Sequence, residues 1–546
     1  MRSLFSISLG TMAGWQLDWL TRRSVGQYRL LGTSERQVPN FQTRQQTREQ
    51  RKRAIISALI LAMILALLSF VAVTVAPTLG RYNPPTGGGA GGCDSPENGF
   101  WCEPGIAHSW GQYSPYFTLG YQDLDVPKVP KGCEITFAQV LSRHGARDPT
   151  AGKSLVYKTL IDNIHRSVTS YGPGFEFLET YTYDLGSDQL TPFGERQMIN
   201  SGIKLYTQYQ DLARDAKNNP PFIRSSGQQR VVESAEKFMQ GYHSTLESDK
   251  KNRATPSFPY PILAIPESAD SNNTLSHGLC KAFESPDSPY SSTGSQAQAT
   301  YASTFTPHIM SRLNQNLPGY NFSSSQDVIS LMDLCPFNTV AAQQPYNAAE
   351  AKVLLSPFCY LFTVDEWKKY DYYQTLGKWY AYGPGNPLGP TQGVGYVNEL
   401  IARMTARPVV DRTSTNSTLD SDPTTFPLDR ALYADFSHDN DMVSILGALG
   451  LYNLTGLTLS NTTRMEEKDT GGFSARWTVP FAGRVYFEKM RCDDSAGEKE
   501  LVRILVNDRV VRLRGCGADE LGRCTVDEWV ESLGFARGGG EWDRCF

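Results

Sequence analysis

Residues 54–76 run for 23 positions without a charged side chain, and no other feature constrains so sharply what this chain can fold into. A helix crossing a bilayer core needs about 20 apolar residues, whereas the apolar core of a cleaved signal peptide has about 7–15. Arg48, Arg51, Lys52 and Arg53 stand just before the run, and positive clusters of this kind remain on the cytoplasmic side. The run is therefore expected to be one transmembrane helix, a type II signal anchor, with residues 1–53 as a polar cytoplasmic tail. Cleavage near Ala76 to release a secreted protein is the alternative. Pro84-Pro85 and Gly87-Gly88-Gly89 make residues 77–92 a flexible stalk. A globular part is expected over 93–546.

All ten cysteines lie in that last part: Cys93, Cys102, Cys133, Cys280, Cys335, Cys359, Cys492, Cys516, Cys524 and Cys545. None forms a CxxC pair, and the seven histidines show no zinc-ligand spacing, so neither a metal nor another cofactor is expected. An even number of scattered cysteines reads as disulfides made in an oxidising compartment. Sequons at Asn272, Asn321, Asn416, Asn453 and Asn461 lie on the same side of the apolar run and are glycosylation candidates. A formal net charge of -4 excludes a general nucleic-acid binder, which carries a basic excess. The charge and composition say nothing of oligomeric state.

Within 93–546 one local pattern occurs three times: a strand, a polar loop, then a helix. Ile135–Leu141 leads into Ser142-Arg143-His144-Gly145 and a stretch with Leu155, Tyr157, Leu160, Ile161 and Ile164 at helical spacing. Phe222-Ile223 leads into Arg224-Ser225-Ser226-Gly227 and a helix through Val231, Ala235, Phe238 and Met239. Leu432–Phe436 leads into Ser437-His438-Asp439 and a helix through Met442, Ile445, Leu446 and Leu449. Open α/β sheets bind ligands beyond the carboxyl ends of their strands, so the three clusters are expected to share one pocket. Asn507-Asp508 between two apolar runs signals a hairpin. The fold expected is an α/β sandwich with a smaller, mainly helical inserted domain around 235–375.

The string Arg143-His144-Gly145-Ala146-Arg147-Asp148-Pro149 carries the most specific chemistry. A phosphate ester is anionic and repels nucleophiles. Planar guanidinium groups answer that repulsion by gripping two phosphate oxygens each. A histidine between two of them can attack phosphorus through a neutral ring nitrogen and form a phosphohistidine. Gly145 is read as allowing the backbone to approach the phosphate.

This string is the signature of the histidine acid phosphatases, and LSRHGAR, WGQYSPYF, LTPFGE, GNPLGPTQGVGY and LVNDRVV resemble the fungal phytases of that family over nearly all of 93–546. The resemblance implies a phosphoglycerate-mutase-like α/β fold. It implies a phosphomonoester hydrolase acting on myo-inositol hexakisphosphate, with His144 as nucleophile and Asp439 as proton donor. It further implies that Arg143, Arg147, Arg224 and His438 hold the substrate phosphate. Arg230, on the helix after Arg224, is read as a salt-bridge partner. The implied disulfides are Cys93–Cys102, Cys133–Cys492, Cys280–Cys545, Cys335–Cys359 and Cys516–Cys524.

The departures concern the rim of the site. A Lys-Lys pair found in related phytases after the signature is replaced by Leu155 and Val156, with Lys153 nearby; another lysine position holds Glu179, and a second pair reads Gly377-Lys378. A less basic rim selects less strongly for a highly charged substrate. The alternative reading is accordingly a broad-specificity extracellular acid phosphatase. An acidic optimum is expected if Asp439 must be protonated before the first step.

Overall fold

The computed structural model describes residues 99–546 except 102, 120–127, 215–218, 253–255, 343–354, 453–455 and 495–496. The apolar run 54–76, the stalk, the Cys93–Cys102 pair and Asn453 lie outside these residues. Among the described residues no helix is long and apolar enough to cross a membrane.

The frame is one sheet with strand order β3-β2-β4-β1-β5-β6-β7 and β8 beside β6. Its strands are β1 (Cys133–Arg143), β2 (Phe222–Ser226), β3 (Leu263–Ile265), β4 (Leu432–Ser437), β5 (Arg484–Asp494), β6 (Gly497–Val506), β7 (Arg509–Val511) and β8 (Cys524–Thr525). β3, β2, β4 and β1 run parallel, whereas β5, β6 and β7 continue antiparallel. The expected hairpin joins β6 to β7. Asn507 and Asp508 both take positive φ there (47° and 69°), the turn that follows the strand twist.

Side chains alternate across a strand, so each strand feeds two cores. Phe137 and Leu141 of β1, with Val485 and Phe487 of β5, join one apolar cluster, while Ala138, Val140 and Tyr486 join the other. Helices α2 (Pro192–Gln208) and α3 (Gln229–Ser248) cover the second face through Met198, Leu205, Val231, Phe238 and Tyr242. The first face is covered by α1 (Ala151–Ser167), α4 (Thr293–Asn316), α5 (Ser325–Ala341), α6 (Val364–Ala381), α7 (Val394–Thr405) and α8 (Asp439–Ala448). The expected α/β sandwich is therefore three layers, with the sheet in the middle.

Two details differ from the sequence reading. The helical insertion does not begin at 235, because Gln229–Ser248 is a single helix whose buried face packs on the sheet beside α2. The packed helices of that region are α4, α5 and α6, and their apolar side chains continue the cluster on the sheet's first face. Leu155, counted with the apolar face of α1, points outward at 67% exposure; Tyr157, Leu160, Ile161 and Ile164 form the buried stripe.

The structure joins Cys133 to Cys492, Cys280 to Cys545, Cys335 to Cys359 and Cys516 to Cys524, the pairs implied by the resemblance. The first clamps the start of β1 to its antiparallel neighbour β5, where Cys133 and Cys492 are register partners. Of the described sequons, Asn321 and Asn461 are exposed. Asn272 donates to the Thr415 carbonyl at 2.7 Å, and Asn416 caps a short helix.

Candidate active site

The parallel register brings the signature and the His438-Asp439 pair to one edge of the sheet. Arg143 at the end of β1 is the register partner of Ser437 at the end of β4. The His144 N–H donates to the Ser437 carbonyl at 3.2 Å, and the His144 carbonyl accepts from Ala482 N–H at 3.0 Å. The His144 and His438 rings then lie 5.6 Å apart in an edge-on arrangement. Asp439 opens α8 in its first turn, while His438 occupies the N-cap position without a side-chain cap bond.

His144 is 1% exposed. Its Nδ1 lies 2.8 Å from the Gly145 carbonyl, which can only accept, so Nδ1 bears the proton and Nε2 keeps its lone pair. Burial, then the charges of Arg143, Arg230, Arg147 and His438, hold the imidazole well below its ordinary pKa. Its surroundings thus favour the neutral, nucleophilic form of the ring.

The arginines around it are poor in partners. Arg143 Nη1 donates to the Gln112 and Val479 carbonyls, and its guanidinium lies 4.5 Å over the Phe481 ring. Arg147 donates to the Asp148 carbonyl at 2.7 Å. The Nε groups of Arg143, Arg147 and Arg230 are buried with no hydrogen-bond partner. Burial and mutual repulsion push both Arg143 and Arg230 down to about 10. Buried donors are nearly always paired, so this concentration of unpaired cationic N–H groups suits an anion rich in oxygen acceptors.

Arg224 requires a correction. Expected to hold phosphate, it is 2% exposed and committed to two carboxylates: Nε and Nη2 bond Asp435 at 3.1 Å each, and Nη1 lies 2.7 Å from Glu399. Arg224 and Asp435 are register partners on β2 and β4, which aims one at the other beneath the loops. Arg230, read from sequence as a salt-bridge partner, holds only a long 3.4 Å contact to Asp188 and instead acts electrostatically on Arg147, Asp439 and His144. The two arginines stand six positions apart. The first points from a strand into the sheet's first face, whereas the second lies in the first turn of α3.

The acid is also differently prepared. Burial alone raises the Asp439 carboxyl, but Arg143 at 3.3 Å and Lys378 at 2.7 Å outweigh it and hold the group well below the ordinary carboxylate value. Lys378 also donates to Asn440 at 2.6 Å, so this expected rim lysine faces inward. Lys153 is likewise occupied, 2.7 Å from the buried Asp333 carboxylate. Leu155 and Val156 are exposed, as is Glu179. His438 Nε2 lies 2.9 Å from Glu267, a residue the sequence reading did not single out. Burial acts against ionisation of Glu267, but His438, Ser226 and the Gln228 N–H lower it to about 2.

Gly145 has a different role from the one expected. Its N–H is spent on Ser234 Oγ, and a Cβ there would lie 2.4 Å from the Gly194 carbonyl. Gly194 in turn has no room for a Cβ, which would fall 1.9 Å from the Ala146 carbonyl. The pair of glycines lets the signature loop rest directly on the first turn of α2.

The comparisons with known proteins agree with this geometry. A family described as the histidine phosphatase superfamily, branch 2, matches residues 134–507. The chain is 51% identical over 492 residues to Phytase A of Neurospora crassa, covering 83% of this chain and 95% of that protein. It is 51% identical over 465 residues to Phytase A of Aspergillus fumigatus, covering 85% and 95%. The fold resembles the crystal structure of the D. castellii phytase, with TM-score 0.62 and 19% identity over 81% of this chain and 87% of that one. It also resembles a Bifidobacterium longum multiple inositol polyphosphate phosphatase, with TM-score 0.53 and 15% identity over 78% and 97%. With its signature histidine buried among arginines at the edge of a mixed sheet, the chain belongs to branch 2 of the histidine phosphatase superfamily.

Proposed function

We propose that this protein is a phytase, a phosphoric monoester hydrolase that releases phosphate from myo-inositol hexakisphosphate through a phosphohistidine at His144. The observation that carries the reading is the neutral, buried His144 among Arg143, Arg147 and Arg230, whose Nε donors lack protein partners. The relatives bearing the name Phytase A, at about half identity, support the substrate class.

The chemistry follows from the groups present. Arg143, Arg147, Arg230 and His438 bind the phosphate oxygens, and His144 Nε2 attacks phosphorus opposite the ester oxygen. As the P–O ester bond breaks, Asp439 gives its proton to the departing alcohol oxygen. Water then attacks phosphorus, the P–N bond breaks, and the Asp439 carboxylate takes the proton of that water. Inorganic phosphate leaves and His144 is restored.

Asp439 must therefore gain a proton after substrate arrives. Bound phosphate draws Arg143 and Lys378 toward its own oxygens and adds negative charge beside the carboxyl, and both effects raise its pKa. A substrate monoanion can supply the proton as it binds. An acidic optimum then comes from the substrate complex rather than from a protonated Asp439 in the free enzyme.

The disulfides fit a site of action outside the cytosol, whether tethered by residues 54–76 or released. His144→Ala is expected to abolish phosphate release from phytate and from an aryl phosphate, measured at the same pH. Activity near the parent level in that variant would sink the assignment. Equal turnover of both substrates by the parent would replace phytase with broad-specificity acid phosphatase.

A further inference from the structure

The ring of His144, in the loop after β1, is held by a chain of hydrogen bonds that begins on α3. Its Nδ1–H donates to the Gly145 carbonyl at 2.8 Å. The Gly145 N–H donates to Ser234 Oγ at 3.1 Å, and the Ser234 hydroxyl donates to the Arg230 carbonyl one turn back along α3 at 2.7 Å. Ser234 is fully buried, so no water competes for either bond. A hydroxyl has one proton, and here it goes to the Arg230 carbonyl; the lone pairs are thereby left for the Gly145 N–H. The backbone groups fix the direction of every bond in the chain, since an N–H only donates and a carbonyl only accepts.

We propose that Ser234 is a positioning residue for the phosphoryl-transfer step: it fixes the His144–Gly145 peptide, and with it the ring, relative to the Arg230 turn. The proposal rests on the reading of His144 as nucleophile. The glycine that lets the signature loop pack on α2 also deprives it of a side chain that could limit its backbone. Gly145 is then restrained by its two hydrogen bonds and the contact with Gly194. The next amide is held in the same way, since Ala146 N–H donates to Gln197 Oε1 at 3.0 Å. The two N–H groups following the nucleophile are thus spent on side chains of α3 and α2, which leaves the guanidinium groups and His438 as the phosphate donors. Through Ser234, the helix that carries Arg230 also carries the restraint on the ring.

Loss of the hydroxyl leaves the Gly145 N–H unpaired and loosens the backbone that carries the ring, while the arginines that bind substrate remain. Small misplacements of a reacting group cost up to about a hundredfold in rate. Ser234→Ala is accordingly expected to lower kcat between about tenfold and a hundredfold, with KM within about twofold of the parent. Quenched-flow trapping of the phosphoenzyme is expected to show slower formation, and Ser234→Thr, which restores the hydroxyl, to recover most of kcat. An Ala variant with parental kcat would overturn the proposal, as would a Thr variant as slow as the Ala one. If Ser234→Ala does not fold, Ser234→Thr is compared with Ser234→Val, which has the same shape without the hydroxyl. A Thr-to-Val kcat ratio of about ten or more supports the proposal, and a ratio near one overturns it. His144→Ala is measured alongside: if that variant retains activity, the nucleophile assignment has failed rather than the role of Ser234.

Discussion

Two buried arginine clusters of this fold differ in how their charge is answered. Around His144, Arg143, Arg147 and Arg230 leave their Nε donors unpaired, with carboxylate contacts only from Asp439 to Arg143 at 3.3 Å and from Asp188 to Arg230 at 3.4 Å among the described residues. Under the first face of the sheet, Arg224 and Arg403 share Asp435, and Arg224 also meets Glu399. Thr274 completes Glu399, and Gln139 completes Asp435. One cluster carries excess positive charge suited to an incoming anion, whereas the other is matched in charge by its own carboxylates, although Arg403 Nε and Nη2 also lack a hydrogen-bond partner. A buried arginine therefore reveals its work through the carboxylates beside it, and neither burial nor an unpaired donor alone separates the two.

The comparison breaks most visibly at Arg230. Arg230→Ala is expected to cut kcat/KM by about a thousandfold, as loss of a transition-state charge contact does. Its pKa is pushed down to about 10 by burial and by Arg147, so the charged form is disfavoured in the folded protein. The variant is accordingly expected to melt no lower than the parent, which calorimetry checks. Arg224→Ala is expected to do the reverse: about 3–5 kcal/mol of stability is lost because Asp435 and Glu399 are left buried without their cation. Denaturant unfolding reads this loss, and the folded fraction keeps more activity per molecule than Arg230→Ala.

The smallest effect sharpens the border between the clusters. Glu267 bonds His438 and is lowered to about 2 from an ordinary 4.5. A depressed carboxylate stabilises the fold above its unfolded pKa and loses that contribution as pH falls through the folded value. Glu267→Gln is expected to cost about 2 kcal/mol near neutrality. The gap should close between about pH 4.5 and 2 when melting curves of both proteins are compared.

The strand ends were legible because a parallel strand followed by a polar loop and a helix places its loop at one edge of the sheet, and the string at 143–149 has few other uses. His144 and Asp439 could be placed there before any coordinates. Arg224 and Arg230 could not be told apart in the same way. Arg224 lies on a short strand and Arg230 on the helix that follows it, and the decision depends on the register that sets Arg224 against Asp435, a residue 211 positions away. Lys153 and Lys378 show the same limit. Each is a plausible rim cation in sequence, yet Asp333 and Asp439 draw them inward.

By itself the sequence determined the class of chemistry, the α/β alternation and the separation of a cysteine-rich part from what precedes it, since these depend on local patterns and residue type. Tertiary structure alone decided which arginines remain free, why Gly145 must be glycine and how the ring of His144 is held. Each of these depends on a partner brought from a distant segment into a buried site, where an unmet hydrogen bond or charge is too costly to leave to chance.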